Sequence, residues 1–186
     1  MKEMVMSQEE IQAVCIKLGE ELTKELANEE KIPLFVGVMK GALNFFFSLV
    51  PHIKRKIMTD YVETSSYEGT KSTGIVKITK DLTISPNGRT LVLVEDVIDT
   101  GLSMKYLLNY LKSKYQPKRI IICSLFDKLA ARKEDVHVDY AGMVLNENKF
   151  LVGFGLDYNE LDREIPYVYV PSEEDIKAMD DLLAKE

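Results

Sequence analysis

Four consecutive apolar residues, Leu91-Val92-Leu93-Val94, run directly into the acidic pair Glu95-Asp96. A run without alternation suits a strand of a parallel sheet, buried on both faces. Beyond it Met104, Leu107, Leu108 and Leu111 recur at helical spacing and predict a helix over Ser103 to Lys114, joined to the strand by the small-residue turn Asp99-Thr100-Gly101. Upstream, Ser7-Gln8-Glu9-Glu10 has the form of a capping box, and Ile11, Val14, Cys15, Leu18, Leu22 and Leu26 form the single apolar stripe of the helix it opens. Pro33 to Met39 predicts a short apolar strand and Ala42 to His52 an apolar helix, which together make a second βα unit. Further strands are expected at Ile57 to Val62, Ile75 to Ile78, Arg119 to Phe126 and Val138 to Leu145, with a turn at Pro86-Asn87-Gly88 and a surface helix after Ser172. Strands interleaved with helices predict an α/β fold, an open and mostly parallel sheet flanked by helices.

The chain's 186 residues carry no internal repeat or linker and fit one domain with a sizeable core. Apolar residues make up 46% and charged residues 29%, and no apolar run approaches the ~18 residues of a membrane span. The N-terminus, Met1-Lys2-Glu3-Met4-Val5-Met6, lacks the layout of a signal peptide, so a cytoplasmic protein away from membranes is expected. Cys15 lies in a helical pattern and Cys123 in a strand pattern, which predicts two buried thiols. His52 and His137 have no companions at metal-ligand spacing, which argues against a zinc site. The net charge of −6 argues against general nucleic-acid binding, and for an anionic substrate it is a handicap that a divalent cation would offset.

Candidate chemistry gathers around the central strand. In an open parallel sheet ligands bind beyond the carboxyl ends of the strands, where Glu95, Asp96 and Asp99 are expected to point. The backbone amides of Asp99 to Ser103 and the hydroxyls of Thr100 and Ser103 stand at a helix N-terminus, where free donors and the helix dipole favour a phosphate. Acids able to accept from vicinal hydroxyls, placed beside a phosphate cradle, suit a phosphorylated sugar. An ordinary βα junction with solvated acids and an N-cap would carry the same residues. At the end of the preceding strand, Lys40-Gly41 would let backbone approach a ligand closely and add a cation, or would simply turn the chain.

The segment Val94-Glu95-Asp96-Val97-Ile98-Asp99-Thr100-Gly101 resembles the signature of type I phosphoribosyltransferases, the hypoxanthine-guanine branch above all. A second segment, Lys149 to Glu160, resembles the purine-binding portion of the same enzymes, and the likeness extends from about Val36 to Tyr169. The Gly-x-Gly within it is no dinucleotide fingerprint, because Tyr158 takes the place of the third glycine.

The resemblance implies the type I fold with a small hood built from the terminal segments, about 1–10 and 147–186. It implies Mg²⁺-dependent transfer of the ribosyl phosphate of 5-phosphoribosyl 1-pyrophosphate to N9 of hypoxanthine, and of guanine. Glu95 and Asp96 would hold the ribose hydroxyls directly or through the metal, Thr100, Gly101, Leu102 and Ser103 the 5′-phosphate, and Asp99 would be the general base. Lys40, Gly41 and Arg163 would hold pyrophosphate, with a cis peptide ahead of Lys40. Lys128 would meet the purine's exocyclic oxygen, Phe150 would stack on the base, Leu151 would read its edge, and Asp157 would meet the metal with Glu95 and Asp96. Ser66 and Tyr67 would belong to a lid loop at about 63–77, and relatives imply a homodimer or homotetramer. The chain departs from the pattern at Leu102, where some relatives have a basic residue, and at Leu145-Asn146-Glu147, which lacks an Ile-Pro common before the base-binding strand. Rival readings are the same chemistry on xanthine or a pyrimidine, and a regulator that senses the activated sugar while binding nucleic acid. For the regulator the chain lacks both a basic face and room for an added helix-turn-helix.

Overall fold

The computed structural model describes residues 2–66 and 76–185. Among these, the strands of the main sheet are β2 (Leu34–Met39), β3 (Met58–Ser66), β4 (Val76–Lys80), β5 (Thr90–Ile98), β6 (Arg119–Lys128) and β7 (Tyr140–Leu145), in the order β4-β3-β2-β5-β6-β7. All neighbours are parallel except β4, an antiparallel edge strand beside β3. The helices are α1 (Gln8–Glu25), α2 (Leu43–Leu49), α3 (Leu102–Lys114) and α4 (Glu173–Leu183). Apart from the sheet, β1 (Glu3–Met6) pairs antiparallel with β8 (Val168–Val170), which brings the two ends of the chain together.

The central strand is buried on both sides, as its unbroken apolar run predicts. Val92 and Val94 pack with Cys15, Leu18, Leu22 and Phe45 on the face covered by α1 and α2, while Leu91 and Leu93 pack with Met104, Leu107 and Leu111 of α3 on the other. Each such side chain, fully removed from water, contributes about 1.5–3 kcal/mol. Both cysteines are free and buried within this core. The expected capping box is present at Ser7, and Ser172 with Asp175 forms a second one at the start of α4.

Several boundaries differ from the expected ones. The helix after β2 ends at Leu49 and passes into a 3-10 turn, Val50–His52, because Pro51 cannot donate to a helical ladder and crowds the preceding turn. β5 does not end at Val94. It continues to Ile98 because β6 runs on beside it, pairing Glu95 with Ser124 and Val97 with Phe126, although its pairing with β2 stops at Gly37 and Val94. Glu95 and Asp96 therefore lie within a strand that has lost one neighbour, a position that opens a crevice against the sheet's own edge. β1 and β8, of four and three residues, were too short for alternation to reveal.

Candidate active site

A cavity of about 370 Å³ opens at the carboxyl ends of β2, β5 and β6 and is lined by Gly41, Glu95, Asp96, Asp99 and Ser103 from the sheet and its turns. Its far wall is Lys128 with Phe150, Leu151, Asp157 and Arg163, so segments far apart in sequence meet around one crevice. A hollow of about 100 Å³ lies alongside, lined by Asp99, Thr100, Gly101 and Ser103 together with Glu95. Leu102 is exposed at the first turn of α3, and Lys40 stands on the rim of a neighbouring cavity that also touches Arg163. Tyr67 and most of the expected lid segment fall outside the described residues, and Ser66 ends β3.

The turn after β5 is shaped by Gly101, whose φ of +83° suits glycine and which serves as the N-cap of α3. The amide groups of Thr100, Gly101 and Ser103 find no acceptor among the described residues, so they are free to receive an anion. Asp99 Oδ2 accepts a hydrogen bond from Lys128 Nζ at 2.8 Å, and that ammonium is buried while the carboxylate is about half exposed. Lys128 thus holds one oxygen of Asp99, and both side chains line the crevice.

Glu95 and Asp96 are the uncompensated charges of the site. Burial pushes the Glu95 carboxyl well above the ordinary range, and the negative charge of Asp96 adds to this. Burial likewise raises Asp96, against the opposing pull of hydrogen bonds and of Arg163. Gly41 presses on this pair, since a Cβ on it would overlap the Asp96 carboxylate, and Gly155 in turn backs onto the Gly41 carbonyl. The peptide between Met39 and Lys40 is cis, as the resemblance implied. Two adjacent hard-oxygen donors, Asp96 buried and Glu95 partly so, fit Mg²⁺, which commonly takes one or two carboxylates and completes its shell with water and substrate phosphates. Among the described residues no three acids gather as a metal cluster, and Asp157 pairs with Arg163 at 2.9 Å.

Arg163 is held at every nitrogen. Its Nη1 donates to the Gly155 carbonyl at 2.6 Å, its Nη2 faces Asp157, and its Nε meets Glu160 Oε2 at 3.2 Å, while Asn44 holds its backbone carbonyl at 2.9 Å. Glu160 also reaches Lys40 Nζ at 3.1 Å, and Arg163 followed by Lys40 keeps its carboxyl below the ordinary range. Phe150 is 51% exposed and stands perpendicular to Tyr158, at 6.1 Å between ring centres, so much of its ring is accessible to a planar ligand. That exposure excludes core packing for Phe150. Leu151 is buried beside it.

Three residues that serve this site gave no signal in the sequence. Glu160 and Asn44 act through partners more than a hundred positions away. Arg132 ties the turn after β5 to the segment after β6, with Nη2 and Nε donating to the carbonyls of Ile98 and Asp99 at 3.2 Å each. A lone arginine in Ala130-Ala131-Arg132-Lys133 looks like solvated surface, and only the parallel pairing of β5 with β6 brings it under the turn.

An open, mostly parallel sheet bearing acids and free amides at its carboxyl edge suits a transferase that acts on a phosphorylated sugar. The chain belongs to the phosphoribosyltransferase family, whose phosphoribosyl transferase domain matches residues 7–159. It is 41% identical over 170 residues to a hypoxanthine-guanine phosphoribosyltransferase of Bacillus subtilis, covering 91% of this chain and 92% of that one. It is 45% identical over 159 residues to the enzyme of that name from Streptococcus pyogenes, covering 85% and 86%. The crystal structure of a hypoxanthine phosphoribosyltransferase from Staphylococcus aureus superposes with a TM-score of 0.85 at 36% identity, covering 92% of each chain.

Proposed function

We propose that this enzyme transfers the 5-phosphoribosyl group of 5-phosphoribosyl 1-pyrophosphate to N9 of hypoxanthine, and of guanine, releasing pyrophosphate in cytoplasmic purine salvage. The observation that carries the reading is the meeting of adjacent acids, free amides and an exposed aromatic ring around one crevice. In this reading Glu95 and Asp96 hold the ribose hydroxyls, the Asp99 to Ser103 turn holds the 5′-phosphate, and Lys40, Gly41 and Arg163 receive pyrophosphate. Breaking the C1′–O bond develops positive charge on the ribose, and the adjacent carboxylates favour that charge more than the neutral ground state. Asp99 accepts the proton lost from the purine ring nitrogen. Phe150 stacks on the base, Leu151 reads its edge and Lys128 donates to its exocyclic oxygen. Glu95 and Asp96, joined by Asp157 once substrate draws Arg163 away, would hold Mg²⁺. When bound, the metal would neutralise charge on the leaving pyrophosphate.

Self-association belongs to the same reading. Leu43, Phe47 and Tyr61 are exposed around a cavity of about 670 Å³ that shares Lys40 and Arg163 with the pyrophosphate side of the site, which supports a homodimer or homotetramer built across that face.

The deciding measurement is pyrophosphate release from hypoxanthine, guanine and xanthine in turn, with and without Mg²⁺. Release with hypoxanthine and guanine that vanishes on chelation is the expected result. Release with none of the three, together with a salt-sensitive gel shift on RNA or DNA, would replace the enzyme with a regulator.

A further inference from the structure

Arg132 lies outside every motif that marks this chain, yet its side chain is bonded to the backbone of the turn that follows β5. Its side chain is 14% exposed, and its guanidinium donates to the carbonyls of Ile98 and Asp99 at 3.2 Å each and to that of Val136 at 2.6 Å. An ion pair with the buried carboxylate of Asp127, the penultimate residue of β6, fixes the head of the side chain. The next carbonyl of the turn, Thr100, accepts from the amides of Lys133 at 2.9 Å and Glu134 at 3.0 Å. Three successive carbonyls of the turn are thus held by the segment 132–134.

The consequence follows from peptide geometry. In a trans peptide the N–H points opposite to the C=O of the same unit, and among the described residues the cis exception is Met39–Lys40. Fixing the carbonyls of Ile98, Asp99 and Thr100 on one side therefore aims the amides of Asp99, Thr100 and Gly101 to the other, toward the hollow beside the crevice. Gly101 suits this arrangement, since its φ of +83° strains other residues and a Cβ there would press on Arg132 Cδ at 3.1 Å and Glu134 Cβ at 3.3 Å.

We propose that Arg132 is the positioning residue of the phosphate turn, which sets the direction of the turn's amides and the seat of Asp99 from beneath without touching substrate. The inference rests on the reading that this turn holds the 5′-phosphate. Lysine keeps the charge but cannot bond two successive carbonyls with a rigid fork.

Calorimetric binding of inosine 5′-monophosphate and of inosine to wild type and to Arg132→Lys tests the inference. The variant is expected to lose roughly 10-fold to 100-fold in affinity for the nucleotide, the scale of a charge-assisted contact, with the nucleoside changed less than about twofold. Its KM for 5-phosphoribosyl 1-pyrophosphate should rise more than its KM for hypoxanthine. Equal losses for nucleotide and nucleoside, tracking a fall in Tm, would make Arg132 a plain structural residue and overturn the proposal, as would unchanged affinities. Should Arg132→Lys fail to fold, Asp127→Asn frees the guanidinium head and should show the same selective loss in smaller measure. Wild type that binds the nucleotide no better than the nucleoside would instead refute the reading of the turn, whereas failure of the inference alone leaves that preference intact in the variant.

Discussion

In the proposed mechanism Asp99 is the residue on which proton transfer depends, and its surroundings determine what its replacement does. Its carboxylate is held at 2.8 Å by the buried Lys128, so Asp99→Asn preserves size and a hydrogen-bonding oxygen while removing the basicity. Turnover in the pyrophosphate-release assay should fall about 10²-fold or more, with the KM for 5-phosphoribosyl 1-pyrophosphate within a few-fold of wild type. Near-normal turnover would move the base elsewhere. Gly41 offers a different test, because any Cβ there overlaps the buried Asp96 carboxylate. Gly41→Ala should cost about 1–3 kcal/mol in chemical denaturation, as overpacking does, and should impair catalysis through displacement of Asp96. Glu95, Asp96, Asp99 and Gly101 were legible in the sequence because strand, acids, turn and helix follow one another locally. Arg132, Glu160 and Asn44 were not, since each contributes through a contact made only after distant strands and loops are assembled.

At the scale of elements, pattern gave what length and periodicity can carry. The long stripe of α1 and the continuous run of β5 were plain. Strands of three or four residues, and the point at which β5 ends, depend on partners that the sequence does not order. One junction between elements has a measurable pH dependence. Glu29, in the loop after α1, accepts from Lys118 at 2.8 Å and from Arg119, and chiefly the Lys118 contact lowers its carboxyl from 4.5 to about 2. A carboxylate depressed in the folded state stabilises it above the unfolded value and loses that stabilisation as acid protonates it. The Tm should therefore fall as pH drops from about 4.5 towards about 2, and Glu29→Gln should flatten that part of the profile. A Glu29→Gln profile parallel to wild type would show that the loop opens before this pair titrates. At the N-terminus of α1, Ser7→Ala removes a cap that accepts the Glu10 amide at 3.2 Å. The expected loss is about 1 kcal/mol, or roughly 2–4 °C in Tm by calorimetry.

For the whole molecule, the exposed apolar face beside the active site has the larger consequence. Leu43 and Phe47 project from α2 and Tyr61 from β3, with exposures of 47%, 63% and 43%, and the cavity between them is rimmed by both signs of charge, Lys40 and Arg163 against Glu63. A face with both signs of charge around an apolar centre can be complementary to itself across a two-fold axis, the commonest symmetry of soluble oligomers. Because Lys40 and Arg163 belong to this rim and, in the proposed reading, to the pyrophosphate side of the site, association would confine their side chains. Phe47→Glu places a charge at the centre of the patch and away from the core, so the monomer should fold with an unchanged far-UV spectrum. Sedimentation equilibrium should then give the mass of one chain where wild type gives two or four, and the KM for 5-phosphoribosyl 1-pyrophosphate should rise while that for hypoxanthine holds. A wild-type protein that sediments as a monomer at micromolar concentration, or a variant that still associates, would detach this face from self-assembly and leave the apolar cavity to another ligand.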